Sequence, residues 1–418
     1  MEDDDGGAGP PERLACESGE SNGPSIGIAV PVKNGARYIW SAISTLRASA
    51  NQNLRVLVSV DHDEALLALL REAIPDPRFT FRSVRYPLSM AGHYEDLLNS
   101  LDTEWLTVLG QDDGIASNFD VESSRAISTA HTQGIEAISF RRGYFNWQDG
   151  ASDRLGYVVK FASYGSARVV NSAVRIDLAL CGLLSHFDLP QAYTNNLVRR
   201  NLLQRIQRNL NGRLIHEPIP DTFLGVAVAC HTTHYLRWPS PAFWTGTSVA
   251  SAGHRPRSTS WSEGRPEIPS YIALALTEGR DFGVGALAWE RAQSSPLMVY
   301  SALQVVTALT GGHISRLRNV LGLGAVLSDS CLRFTVIGKT RLPKGLVSDL
   351  LMRCANPVDR FLVLASAPVL FILQISVRLA RKIRFDYALL CRGFRISGGQ
   401  NRIVRMHEIS TRASHESK

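Results

Sequence analysis

The chain has 418 residues, 45 lysines and arginines against 38 aspartates and glutamates, a formal charge of +7 and 44% hydrophobic residues. That length leaves room for two or three domains, and the composition is that of a globular protein, which excludes a disordered chain and a multi-span membrane protein. The positive balance suits anionic ligands such as nucleotide phosphates or lipid head groups, and six cysteines with no CxxC pair or zinc spacing fit reduced thiols in a cytosolic setting.

Residues 1–24 are acidic and rich in Gly, Pro and Ser. They lack the basic start and apolar stretch of a signal peptide and are expected to form a disordered leader. From Ser25 short apolar runs alternate with helical segments. IGIAVPV (26–32), LRVLVSV (54–60), FTFRSV (79–84), WLTVL (105–109) and EAISF (136–140) read as strands. RYIWSAISTLRAS, EALLALLREAI, MAGHYEDLLNSL and VESSRAISTAHTQ lie between them, with apolar residues at helical spacing. Strands separated by crossover helices predict an α/β fold, a mostly parallel sheet covered on both faces.

Ligands of such sheets sit beyond the carboxyl ends of the strands. Those ends carry Pro31 to Gly35 after the first strand, Asp61, His62 and Asp63 after the second, and Gly110 to Gly114 after the fourth. In the last of these, WLTVLGQDDGI, an apolar run stops at two adjacent carboxylates, Asp112 and Asp113. Such a pair needs a helix N-terminus, a basic partner or a metal ion. Taken singly, Asp61 also fits a helix cap and Asp113-Gly114 a turn; their convergence on one rim favours a site.

VPVKNGARYIWSAISTL, VLVSVDHDE and SMAGHYEDLLNSLDTEWLTVLGQDDG, in this order, resemble the nucleotide-binding half of family-2 glycosyltransferases. These are inverting enzymes of the GT-A (Rossmann-like) fold, and the last segment resembles the GDDDG-like motif of one bacterial branch. The resemblance runs from Ser25 to about Gly253. It implies that Asp61 accepts a hydrogen bond from the donor base and that Pro31 and Val32 shape the wall beside it. It further implies donor contacts at Asn34, Asp63, Gln111 and Ser248, and a magnesium or manganese ion held at Asp112 with Asp113 as a second ligand. The chain departs from the pattern at Gln111, where the branch often has Asp, and at Gly110, where the wider family's first Asp falls.

Inverting transfer needs a base for the acceptor hydroxyl. AYTNNLVRRNLLQRIQRNLNGRLIHEPIPDTFLGVAVA resembles the acceptor side of the same branch: a helix, a Gly turn, a short strand, then Pro220-Asp221 opening another helix. Asp221 is the first candidate base and Asp188 the reserve, although Asp221 also fits an N-cap. WTGTSVASAG (244–253) resembles a small-residue loop near the active site, with Ser248, Ser251 and His254 as diphosphate contacts, although its Gly/Ser/Thr composition also fits a plain flexible connector. His231 and His234 lack further ligands at zinc spacing and read as a polar loop.

The expected division is a glycosyltransferase domain over 25–254 (nucleotide-binding half 25–140, acceptor half 141–254), a helical region over 255–408 and a disordered tail over 409–418. In the helical region FLVLASAPVLFILQISV (361–377), broken by Pro368, is preceded by Arg360 and followed by Arg378, Arg381, Lys382 and Arg384. It is short for a span and suits either a packed helix or a helix lying on an anionic membrane through 361–384. The expected partners are thus a nucleotide-sugar donor, a hydroxyl acceptor on a glycan, lipid carrier or metabolite, and the inner face of a membrane. Dispersed basic residues without a recognised module argue against nucleic acid. Two other classes stay open: an inactive nucleotide- or glycan-binding scaffold of the same fold, for which Gln111 speaks, and a sugar-phosphate nucleotidyltransferase, against which the single glycine of VPVKNGA speaks.

Overall fold

A computed structural model describes residues 23–33, 35–84, 86–147, 166–248, 270–285, 294–336, 345–354 and 356–392. Residues 1–22 of the expected leader, Asn34, Ser251, His254 and the tail after 408 lie outside the described residues.

The first half alternates as its periodicity predicts. Strands β1 (Ile26–Val32), β2 (Leu54–Val60), β3 (Phe79–Ser83) and β4 (Trp105–Val108) are joined by helices α1 (Ala36–Arg47), α2 (Glu64–Ala73) and α3 (Met90–Ser100). β1 is buried at every position except Pro31, as a central parallel strand covered on both faces must be. After β5 (Gly114–Ile115), α4 (Phe119–Thr132), β6 (Ala137–Phe140) and β7 (Gly143–Asn146) come β8 (Arg168–Asn171), α5 (Ser172–Leu180) and a 3-10 turn at His186–Asp188. β9 (Asn196–Arg199), α6 (Arg200–Asn209), α7 (Pro220–Cys230), β10 (His234–Trp238) and β11 (Phe243–Thr247) complete the sheets.

The main sheet has eight strands in the order β3-β2-β1-β4-β9-β6-β10-β8, and β5-β11-β7 form a second, small sheet. In the main sheet β9 runs antiparallel to β4 and β6, and β8 antiparallel to β10; the other pairs of that sheet are parallel. The fold is therefore the expected mostly parallel sheet with flanking helices, followed by a helical region: α8 (Ser270–Thr277), α9 (Ser295–Leu309), α10 (Arg316–Val336), α11 (Leu346–Met352) and α12 (Pro357–Arg392). Three local expectations are corrected. No strand forms between α6 and α7; WTGT belongs to β11 and is not loop; and Pro368 lies inside a continuous helix.

One core lies between the sheet and α1, α2 and α4. The other joins α3, α5, α6 and α7 to α9, α10 and α12 through Leu297, Tyr300, Leu323 and Val363, so the helical region shares its core with the sheet. Polar bonds fasten the same seam. Glu278, just after α8, accepts from the Ser89 backbone N–H and hydroxyl, both at 2.6 Å, at the start of α3. Arg280 reaches Glu95 of α3 at 2.8 Å and Glu278 at 2.7 Å and donates to the Ile215 carbonyl. Breaking a buried pair of this kind leaves uncompensated charge, at a cost of about 3–5 kcal/mol. Arg280→Leu is expected to lower stability by that amount in denaturant unfolding, and an unchanged midpoint would show that the seam does not depend on it.

Candidate active site

β1 and β4 pair only as far as Ala29 opposite Val108. Beyond that point β1 runs on beside β2 to Val32 opposite Val60, and the chain after β4 turns away. A crevice opens where β1 has a neighbour on one side only, and Pro31, which lacks an N–H, stands on that stretch. This is the switch point of the sheet, where connections leave in opposite directions.

Gln111 bridges the crevice. Its Oε1 accepts from the Lys33 backbone N–H at 2.8 Å and its Nε2 donates to the Lys33 carbonyl at 3.1 Å. A Cβ on Gly35 would stand 1.9 Å from Gln111 Oε1, so any side chain there would displace the Gln111 amide. The residue that departs from the family pattern thus clamps the loop after β1.

Asp112 and Asp113 have separate roles. Asp113 is 3% exposed and its carboxylate faces inward. Oδ2 accepts from Gly110 N at 2.9 Å, Thr194 Oγ1 at 2.5 Å and Tyr193 Oη at 3.2 Å, and Oδ1 from Gly246 N at 2.6 Å. Ala192 (φ 49°) and Asn195 (φ 74°) hold the two hydroxyl donors between left-handed backbone positions, the kind of strain kept only where the surroundings enforce it. A Cβ on Gly110 would stand 2.7 Å from Asp113 Oδ2, so the absence of Asp at position 110 follows from the inward turn of Asp113. The second metal ligand expected at Asp113 is accordingly spent on internal bonds.

The Asp112 carboxylate accepts from Ser248 Oγ at 2.7 Å, and its carbonyl from Trp147 Nε1 at 3.0 Å. β11 passes so near that a Cβ on Gly246 would stand 1.8 Å from the Asp112 carbonyl oxygen. The small residues of WTGTS therefore admit this protein segment, which brings Ser248 to Asp112 across 136 residues.

Asp61 accepts from Lys33 Nζ at 2.6 Å, with His62 Nε2 at 3.4 Å. The helix cap in this loop is Asp63, which accepts from Leu66 N at 2.9 Å; the donor contact expected of Asp63 gives way to that role. Asp221 is not the N-cap of α7. The cap residue is Ile219, without a side-chain bond, and Asp221 stands in the first turn, accepting from Thr222 N at 2.8 Å. Burial raises its carboxyl above the ordinary range, opposed by the Thr222 N–H and the Arg142 charge. Asp112, Asp113 and Asp221 all act, after burial, to raise the stacked phenols of Tyr94 and Tyr193, which brings residues 109 positions apart in sequence to one place.

Asp188, the reserve candidate for the base, is engaged in structural contacts. It closes a capping box with Ser185 and faces Arg237 at 3.3 Å and Arg175 at 3.9 Å. Sequence reasoning missed Arg142, whose guanidinium lies 3.8 Å from the Phe187 ring centre, and the Tyr193-Thr194 pair. The doubled basic residue after EAISF was the only signal for the first, and the second had none.

No protein-family model matches the chain, and no curated protein matches it. Among solved structures it is similar to residues 1–349 of S. aureus TarS in complex with UDP-GlcNAc, with 10% identity, 85% of this chain and 92% of that one covered, and a TM-score of 0.49. The mannosyltransferase PcManGT from Pyrobaculum calidifontis, in complex with GDP-Man and Mn2+, gives 13% identity, coverage of 82% and 87%, and a TM-score of 0.38.

Burial and then the neighbouring Asp112 raise the Asp113 carboxyl from 3.8 to about 7. An acid with a raised folded value holds its proton more tightly in the native state, so its contribution is full below about 4 and is lost as pH rises to about 7. Asp113→Asn must turn an amide N–H toward one of the four donors and is expected to cost about 1–3 kcal/mol. It should also flatten the stability slope between pH 4 and 7. Equal stability of variant and parent across that range in denaturant titrations would refute the inward role.

Proposed function

We propose that the chain is a GT-A-type, family-2-like inverting glycosyltransferase that moves a sugar from a nucleotide-sugar donor to an acceptor hydroxyl on a glycan, lipid carrier or metabolite. The observation that carries this reading is the gathering of Asp61, Asp112 with Ser248, and Asp221 around one crevice at the carboxyl edge of the sheet. The base would lie against Pro31, Val32 and Asp61, and the diphosphate beside Asp112 and Ser248.

Among the described residues no group of three or more His, Cys, Asp or Glu surrounds a metal position. A divalent cation nevertheless fits Asp112, since magnesium sites in nucleotide enzymes use one or two carboxylates with the substrate's phosphates. Asp112 would hold magnesium or manganese together with the donor. Bound there, the cation supplies charge that offsets the departing diphosphate.

Asp221 takes the acceptor proton. As the acceptor oxygen forms its bond to the anomeric carbon, the bond from that carbon to the diphosphate breaks and its electron pair leaves with the nucleotide. A carboxylate made more basic by burial is better matched to this task than an exposed one. The clamp by Gln111 gives that residue a structural role, which supports the enzyme reading over an inactive scaffold.

We propose in addition that α12 lies on an anionic membrane surface. Phe361, Leu364, Val369, Ile372 and Leu379 are between 45% and 69% exposed, forming an apolar face of a kind that soluble monomers rarely leave open. Arg360 precedes it and Arg378 follows it, whereas Asp359 is buried. Anionic lipid would neutralise Arg360 at the start of this face, while Arg378 at its end is already paired with Asp329.

Asp112→Asn is expected to abolish transfer and manganese-dependent nucleotide binding. Asp221→Asn should leave donor affinity and melting temperature near the parent's and lower kcat about a hundredfold to ten-thousandfold. An active Asp221→Asn enzyme would exclude that residue as base. The membrane reading is checked by co-sedimentation with vesicles of phosphatidylglycerol and phosphatidylcholine. The parent should pellet with anionic vesicles and the Leu364→Asp, Ile372→Asp double variant should not; equal pelleting of both would sink the idea.

A further inference from the structure

Asp221 follows the sequence Glu217-Pro218-Ile219-Pro220, which makes a stiff segment. Proline fixes its own φ at about −65° and drives the residue before it into extended backbone, so all four residues ahead of Asp221 are restricted. Ile219 shows the effect, extended at φ −106° and ψ 91°. An anchor at Glu217 is therefore carried through to the first turn of α7 with little slack.

Glu217 is such an anchor. It is 2% exposed, and its Oε1 accepts from the Ser301 hydroxyl of α9 and from the Gly283 N–H at 3.0 Å. Ser301 Oγ in turn accepts from the Val284 N–H at 3.3 Å. The loop that supplies these N–H groups is pressed against α9, since a Cβ on Gly283 would stand 2.5 Å from the Ser301 carbonyl oxygen. Both donors to Glu217 thus come from the helical region and neither from the sheet. Residues 214–219 belong to no helix or strand, and side chains hold them instead: Glu95 accepts from the Leu214 N–H at 2.6 Å and Arg280 donates to the Ile215 carbonyl. Those bonds fix the start of the segment. The three side chains between Glu217 and Asp221 are apolar, so Glu217 is the last polar side-chain anchor before that carboxylate.

Resting on the assignment of Asp221 as the base, we propose that Glu217 is a positioning residue for sugar transfer, through which the helical region holds Asp221 at the acceptor oxygen. Its task is to accept two bonds at one oxygen, which an amide oxygen also does. Losing that hold lets the base shift, and a misplacement of about 1 Å at a reacting group costs on the order of a hundredfold in rate.

The test follows release of nucleoside diphosphate from a panel of UDP- and GDP-linked hexoses by the full chain in manganese, with water as the acceptor. Glu217→Ala should lower kcat about ten- to hundredfold and leave donor KM unchanged, and Glu217→Gln should retain most of the parent rate. In an Asp221→Asn background Glu217→Ala should cause no further loss, because a residue that acts only through Asp221 has nothing left to place. A brace without this role would lower the melting temperature and leave kcat of the folded enzyme as it was. Parent kcat in folded Glu217→Ala, or an equal further loss in the Asp221→Asn background, would overturn the proposal. An inactive Asp221→Asn beside an unimpaired Glu217→Ala would keep the base and reject only the positioning role. Parent-like turnover by Asp221→Asn would remove the base and this proposal together. Should Glu217→Ala fail to fold, Ser301→Ala decides in its place: it removes one donor and leaves the carboxylate, and its kcat must fall at unchanged donor KM.

Discussion

A buried carboxylate must be surrounded by donors, and at Asp113 that requirement organises the whole crevice. Four donors meet it, from Gly110 on the chain leaving β4, from Tyr193 and Thr194 ahead of β9, and from Gly246 in β11. Three segments far apart in sequence are thereby tied to one side chain. Their convergence has steric consequences: position 246 must be glycine because the Asp112 backbone occupies the space a Cβ would need, and a Cβ at position 110 would press on the Asp113 carboxylate. With Asp113 turned inward, its neighbour Asp112 is placed where β11 delivers Ser248. The two adjacent aspartates are therefore complementary, Asp113 tying the scaffold together and Asp112 bonded to the segment that carries Ser248.

This division also shows how far the sequence could be read. The alternating first half was legible because its signals are local. Apolar runs of five to seven residues and helices with one apolar face depend on neighbours within a turn or two, and β1 and β2 match their expected limits. The grouping of acids at strand ends was legible for the same reason. What each acid does was not. Asp61 and Asp63 are equivalent in sequence as caps, yet only Asp63 reaches a helix N–H. Gln111 looked like a lost carboxylate, and its pairing with the Lys33 backbone across 78 residues left no mark on either segment. The short β9, inserted antiparallel between β4 and β6, carries an NLVR run that merges by pattern into the helix after it.

The helical region was legible as helices but not as part of the same core. Apolar periodicity shows that a face is buried without saying against what. Here α9 and α10 complete the face of the sheet that α3, α5 and α7 begin. The polar seam agrees: Glu217, raised to about 7 by burial, accepts from Ser301 of α9 and from the Gly283 N–H. Glu217 lies four residues before Asp221, so the first turn of α7, with the proposed base, is braced from the helical region. A boundary drawn near residue 254 divides the chain by composition and not by packing.

The same packing bears on how α12 can meet a membrane. Its inner face, Val363, Ala367, Leu370 and Gln374, is buried at a helical spacing of three and four residues, with Gln374 bonded to Ser328 and to the Cys181 carbonyl, both at 3.0 Å. Ion pairs fasten it to α10 at both ends, Arg316 with Asp359 at 2.5 Å and Arg378 with Asp329. Residues Pro357–Ala380 are apolar and long enough to cross a bilayer, but crossing would require this helix to part from α10, to place Gln374 in hydrocarbon and to sever Asp359 and Arg378 from their α10 partners. Lying flat keeps every inner bond and covers only the outer apolar face, so the polar anchors on the inner side favour an orientation parallel to the surface.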